Sequence, residues 1–223
     1  MKSLHVVQHR ALQWVLAIGW LLLALAASAQ PEHAVKPSAS TSHTVLVMGD
    51  SLSAAHGLAE SQGWVALIGA TIAASKPGWH VVNASISGET TAGGAARVAH
   101  ELSLHHPEVL VIELGANDGL RGLPLQQMRA NLASMMTAAQ AIHARILLIG
   151  MRIPPNYGPD YTHGFEQTYR DLAHQFNATL LPFLLEPIAL DRNAFQSDNL
   201  HPVASAEPKL RDHVWTALAP LLH

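Results

Sequence analysis

Five short apolar runs, at 44–48, 81–84, 109–114, 146–150 and 179–181, alternate with five longer helical patterns at 64–75, 90–105, 125–143, 161–176 and 204–221. No other feature constrains the fold as tightly. A strand without polar alternation has no face to give to water, so both faces of its sheet must be covered. Strand–helix–strand connections join parallel neighbours and supply that cover. The expected class is α/β, with a parallel sheet between helices and no internal repeat. A chain of 223 residues, 49% hydrophobic, suffices for one such domain with a substantial core.

Three of the runs end in segments that carry chemistry. The first ends in Met48-Gly49-Asp50-Ser51-Leu52, the second in Asn83-Ala84-Ser85-Ile86-Ser87-Gly88-Glu89, and the third in Gly115-Ala116-Asn117-Asp118. Ligands of open α/β sheets bind beyond the carboxyl ends of the strands, so these segments converge on one edge. A fourth segment, Asp198-Asn199-Leu200-His201-Pro202, precedes the last helical pattern. Together they hold a serine, a small backbone donor, a side-chain amide and an Asp/His pair, the inventory of an acyl-transfer site. Ser51 reads as a nucleophile on a tight turn that opens a helix, whose N-terminus favours negative charge. Asp50 reads as a turn-stabilising acceptor, and Asp118 as the cap of the helix that follows it.

These four blocks, in this order, resemble the SGNH hydrolases of the GDSL superfamily, with Ser51, Gly88, Asn117 and His201 at the four named positions. Gly119-Leu120-Arg121-Gly122, the 151–158 stretch from Met151 to Gly158, and Leu180-Leu181-Pro182-Phe183 resemble its bacterial multifunctional thioesterase I, protease I and lysophospholipase (arylesterase) group. The resemblance spans roughly 44–222. It implies a three-layer α/β/α sandwich, flavodoxin-like, with about five parallel strands. It also implies a serine esterase acting on aryl esters, acyl-thioesters and lysophospholipids. The sequence departs from the family in two places: Asn199 stands where glycine usually follows the Asp, and Glu207 where the group often has Gln. Asn also tolerates tight turns, and Glu207 is expected to affect only the start of its own helix.

In the mechanism so implied, Ser51, Asp198 and His201 are catalytic. The N–H groups of Ser51 and Gly88 and the amide of Asn117 form the oxyanion hole. Asp at 117 would be an acceptor and repel the oxyanion. The loops 119–124 and 152–162 flank this edge, and Leu120, Leu123, Ile153 and Pro154 are the expected acyl-binding residues. Carbohydrate O-deacetylation on the same fold, or a non-catalytic lipid- or glycan-binding role, are the alternatives.

The chain has no cysteine, which excludes disulfides, a thiol nucleophile and a cysteine-linked lipid anchor. A net charge of −3 offers no basic surface for nucleic acid. Fifteen histidines are scattered without a ligand spacing such as His-Glu-x-x-His, so neither a metal nor any other cofactor is expected. A basic start at Lys2 and Arg10, an apolar run from Trp14 to Ala27 and a small-residue site at Ala27-Ser28-Ala29 read as a signal peptide over 1–29. The apolar run is short of the ~20 residues of a membrane span. The expected location is therefore the periplasm or outside the cell, with an uncleaved tether as alternative. Residues 30–43, rich in Pro, Ser, Thr and His, read as a disordered leader and 44–223 as the hydrolase domain.

Overall fold

The two most apolar strands lie side by side at the centre of the sheet. In a computed structural model, which describes residues 42–223, β1 (His43–Gly49) is buried beyond its first residue and β3 (Val109–Glu113) throughout. β2 (Trp79–Asn83) flanks β1, and β4 (Arg145–Ile149) flanks β3. β5 (Thr179–Leu181) forms the far edge. The order is β2-β1-β3-β4-β5, and every pairing is parallel. This is the flavodoxin-like doubly wound order, as expected, with its switch point between β1 and β3. Ser51 follows β1 and Asn117 follows β3, so both lie at the switch point.

The helices are α1 (Trp64–Ser75), α2 (Thr91–His105), α3 (Ala116–Leu120), α4 (Leu125–Ala141), α5 (Pro159–Gln175) and α6 (Glu207–Leu218). α1 packs on α6, while α4 packs on both α2 and α5. α5 shows why such segments are helical: Phe165, Thr168, Tyr169 and Leu172 are buried at i, i+3, i+4 and i+7, one stripe facing the core. α4 stops two residues before its expected end. His143 enters the left-handed region at φ 62°, and the Ala144 N–H turns back to the Ala139 carbonyl.

Other boundaries also differ from the sequence reading. His43, expected in the leader, is the first residue of β1 and pairs with Trp79. The expected signal peptide, and the expected leader as far as residue 41, lie outside the described residues. No helix opens at Ser51. Residues 51–58 form successive turns with a single helical bond, Ala54 N–H to Asp50 carbonyl at 2.9 Å. Ala55 then takes φ 56°, which stops propagation. Ser51 therefore gains the tight turn without a helix macrodipole. Glu207 reaches beyond its own helix: its carboxylate accepts from the Trp64 N–H at 2.8 Å and so caps α1. Among the described residues no helix is long and apolar enough to cross a membrane.

Candidate active site

The Asp/His block is built locally. Asp198 Oδ1 accepts the Leu200 and His201 N–H groups at 2.9 and 3.1 Å, which closes a turn through Asn199 at φ 58°. Asn here does what glycine would do. The same turn aims Asp198 Oδ2 at His201 Nδ1, 2.7 Å away. The Gln196 N–H donates to the His201 carbonyl, and the Gln196 amide donates to the carbonyls of His56 and Pro202. These contacts tie the turn to the segment after Ser51. His201 Nε2 then lies 2.8 Å from Ser51 Oγ, across 150 residues of chain. The ring of His56 packs on the His201 ring at 4.3 Å.

Asp198 is 39% exposed, yet its carboxyl is held well below the usual range. The bond to the His201 ring is the largest cause, followed by the two backbone N–H donors. A charged carboxylate in this place orients the imidazole and stabilises its cation.

On the other flank of Ser51 the carboxyls are buried. Asp50 accepts from the Leu52 N–H at 3.0 Å and from Asn117 Nδ2 at 3.1 Å. The second Asn117 amide proton goes to the Glu89 carbonyl at 3.1 Å. Behind Asp50 lies Glu113, the last residue of β3. Its Oε2 accepts from the Ser53 hydroxyl at 2.7 Å and more weakly from the Asp50 N–H at 3.4 Å, while its Oε1 is buried without a partner. Gly49 makes room for this arrangement, since a Cβ there would lie 2.5 Å from Ser53 Oγ and 2.9 Å from Glu113 Oε2. Burial pushes the Asp50 carboxyl up to about 6. Burial, with the neighbouring Asp50 charge, pushes the Glu113 carboxyl well above its ordinary value, toward the neutral form.

Gly88 takes φ 80°, open to glycine at no steric cost, and nothing lies within 4 Å of where its Cβ would sit. Asp118 caps α2, not the helix that follows it. Its two oxygens accept the Thr91 N–H at 2.8 Å and the Thr91 hydroxyl at 2.6 Å. That bond docks the Gly88 segment beside Asn117.

A cavity of about 500 Å³ opens at Ser51 and His201. Leu120, Ile153 and Pro154 line it, and so do Met151, Phe183 and Leu200. Leu123 does not line it; its carbonyl instead accepts the Tyr161 hydroxyl at 2.7 Å. The sequence reading missed Glu113, His56 and the walls at Phe183 and Leu200. Only Glu113 left a signal, as a charged residue inside an otherwise apolar run. Among the described residues no group of three or more His, Asp or Glu side chains could hold a metal ion.

A serine bonded to an imidazole, a carboxylate behind that imidazole, and an amide at the switch point of a doubly wound sheet define a serine hydrolase of the α/β/α type. The chain belongs to the GDSL-like Lipase/Acylhydrolase family, whose profile matches residues 47–206. It is 48% identical over 183 residues to Esterase TesA of Pseudomonas aeruginosa, covering 82% of this chain and 91% of that one. It is 38% identical over 185 residues to Thioesterase 1/protease 1/lysophospholipase L1 of Escherichia coli, covering 83% and 88%. A crystal structure of TesA superposes with a TM-score of 0.78 at 48% identity, over 81% of this chain and 100% of that one. The protein is a GDSL-type serine esterase with activity on acyl substrates.

Proposed function

We propose that the protein hydrolyses esters and thioesters of medium-length acyl chains through an acyl-enzyme on Ser51. One observation carries this reading: the unbroken chain from Asp198 to His201 to Ser51, at 2.7 and 2.8 Å, ends at the mouth of an apolar cavity. Ser51 Oγ bonds to the carbonyl carbon while its proton passes to His201 Nε2. The carbonyl π electrons move to oxygen. The Ser51 and Gly88 N–H groups and Asn117 Nδ2 receive that charge. An oxyanion is a stronger acceptor than the neutral Glu89 carbonyl and draws the Asn117 proton that rests there. Collapse of the intermediate breaks the carbonyl bond to the leaving oxygen or sulfur, which takes the proton from His201. Water repeats both steps and releases the acid.

The cavity is larger than an acetyl group needs, which favours longer acyl chains over a deacetylase. Lysophospholipids are acyl esters of the same kind, and the relative in E. coli bears that activity in its name. We also read the segment before residue 30 as a signal that directs export; a native N-terminus at Met1 in the membrane fraction overturns that.

The test is a chain-length series of nitrophenyl esters. Each methylene buried in the cavity gains at most ~0.8 kcal/mol. Ile153→Ala should therefore lower the ratio of kcat/KM for octanoyl over acetyl ester by about tenfold, and Leu123→Ala should not. Equal loss on both esters would place the acyl chain elsewhere. Ser51→Ala should abolish turnover and labelling by a fluorophosphonate; a folded Ser51→Ala protein that retains activity refutes the mechanism.

A further inference from the structure

The two sides of the oxyanion hole differ in charge and cover. The cavity side is walled and apolar, and its arginine, Arg152, is compensated: Nη1 lies 3.1 Å from Glu186 and Nε 3.5 Å from Glu166. The Gly88 side lies outside the cavity lining and is open. There Arg121, the residue that ends α3, is exposed and places Nη2 3.1 Å from the Gly88 carbonyl. Among the described residues no carboxylate lies within 4.0 Å of its guanidinium. The acid nearest in sequence to Gly88, Glu89, is taken by Arg97, whose Nε bonds it at 2.7 Å. Asp118, the acid nearest in sequence to Arg121 itself, is buried on Thr91. Arg121 is thus a positive charge without an internal partner, one carbonyl away from an oxyanion donor. Ile86, two residues before Gly88, is 51% exposed and adds apolar surface to the same rim.

An acyl chain in the cavity sends the leaving group the other way, because the two substituents of a carbonyl carbon diverge. We infer that Arg121 is an anion subsite on the leaving-group side, selecting acyl substrates whose leaving group carries a phosphate. This rests on the hydrolase reading above and adds the residue that reads the leaving group. The phosphate chemistry is shared by nucleotide-bearing thiol carriers and by phospholipid head groups. An exposed guanidinium binds either through charge-assisted hydrogen bonds. Its reach leaves space for the linker between carbonyl and phosphate to cross Gly88, where no side chain intrudes.

The experiment compares paired substrates that differ only in the phosphate: octanoyl-4′-phosphopantetheine against octanoyl-pantetheine, and lysophosphatidic acid against the matching monoacylglycerol. Each is assayed with wild type, Arg121→Gln and Arg121→Lys. Arg121→Gln should lower the charged-over-neutral ratio of kcat/KM about tenfold in at least one pair, chiefly through KM, and Arg121→Lys should restore part of it. The pair that responds identifies the source of the phosphate. Raising salt should lower the wild-type ratio and leave that of Arg121→Gln flat. If both ratios keep their wild-type values in Arg121→Gln, the residue only holds the Gly88 carbonyl and the subsite is refuted. Failure of the wild type to hydrolyse any of the four substrates is a separate result, and it counts against the hydrolase reading.

Discussion

Asp198 and the Asp50–Glu113 pair stand on opposite flanks of one serine, and their environments are inverted. Asp198 is 39% exposed and carries its charge down to low pH, because an imidazole and two N–H groups stabilise the carboxylate. Asp50 is 1% exposed and Glu113 is fully buried; both are pushed toward the neutral form. The difference shows what each side contributes. Charge is needed where a histidine cation forms and vanishes during turnover. Behind the nucleophile the need is for shape, and a carboxyl pushed toward its neutral form and hydrogen-bonded to the Ser53 hydroxyl keeps shape while lessening the cost of a second charge beside Asp50.

Removing the charge on the exposed flank should have the largest effect. Asp198→Asn keeps the size but presents a donor or a neutral acceptor to His201 Nδ1. kcat should fall about 10³- to 10⁴-fold with little change in thermal midpoint. A drop of less than tenfold would make Asp198 a spectator. Asp50→Asn comes next, because an amide turned toward Asn117 Nδ2 sets donor against donor. In the proposed mechanism this misplaces the Asn117 donor, and kcat should fall about 10²- to 10³-fold. The wild type should also lose activity as pH falls through about 6, where Asp50 takes up its proton and ceases to be a pure acceptor. A wild-type kcat that is flat from pH 7 to pH 5 would break this half of the comparison.

Glu113→Gln should leave turnover largely intact and change stability instead. The folded protein holds the proton of Glu113 above the ordinary carboxylate value of 4.5, so the native state binds more protons than the unfolded one. The contribution to stability is complete below about pH 4.5 and is lost as pH rises toward the native pKa, at ~1.4 kcal/mol per pH unit. Gln keeps an acceptor for Ser53 and titrates nowhere. Its advantage over wild type in thermal midpoint should therefore grow as pH rises above 4.5; a difference that stays constant with pH refutes the raised Glu113 carboxyl.

Glu207 sharpens the comparison from a distance. It is 1% exposed, burial raises it to about 7, and it caps α1 far from the chemistry. By the same sign its stabilising contribution is lost between about pH 4.5 and pH 7. Glu207→Gln should match wild type within ~1 kcal/mol at pH 5 and exceed it by on the order of 2 kcal/mol at pH 8, with unchanged kcat. Chemical denaturation at the two pH values measures this directly.

Part of the site was legible because it is local. Asp198 and His201 share one turn, and their three-residue spacing already places both side chains on it. Ser51, Gly88 and Asn117 each follow an apolar run, and a parallel sheet collects such ends on one edge. Asp118 was legible as a cap but not as the cap of α2, because its partner Thr91 lies 27 residues away and is brought there by sheet order. Leu123 was read as an acyl-binding residue from its place in the loop, but it is absent from the cavity lining. Loop proximity is readable; which residues of the loop line the cavity depends on contacts such as the Tyr161 hydroxyl on the Leu123 carbonyl.

Residue type and order by themselves determined the α/β class, the parallel sheet and the identity of the Ser, Asn, Asp and His side chains, since each of these follows from local pattern and chain direction. Tertiary structure alone decided the packing of the His56 ring on His201, the place of Arg121 beside Gly88 with no carboxylate near it among the described residues, and the shift of Glu113 toward the neutral form. Each depends on distances between segments remote in sequence, and on burial that sets whether a carboxyl keeps its charge. A one-dimensional pattern records which groups are present; their protonation and their partners follow from the solvent and neighbours that folding leaves around them.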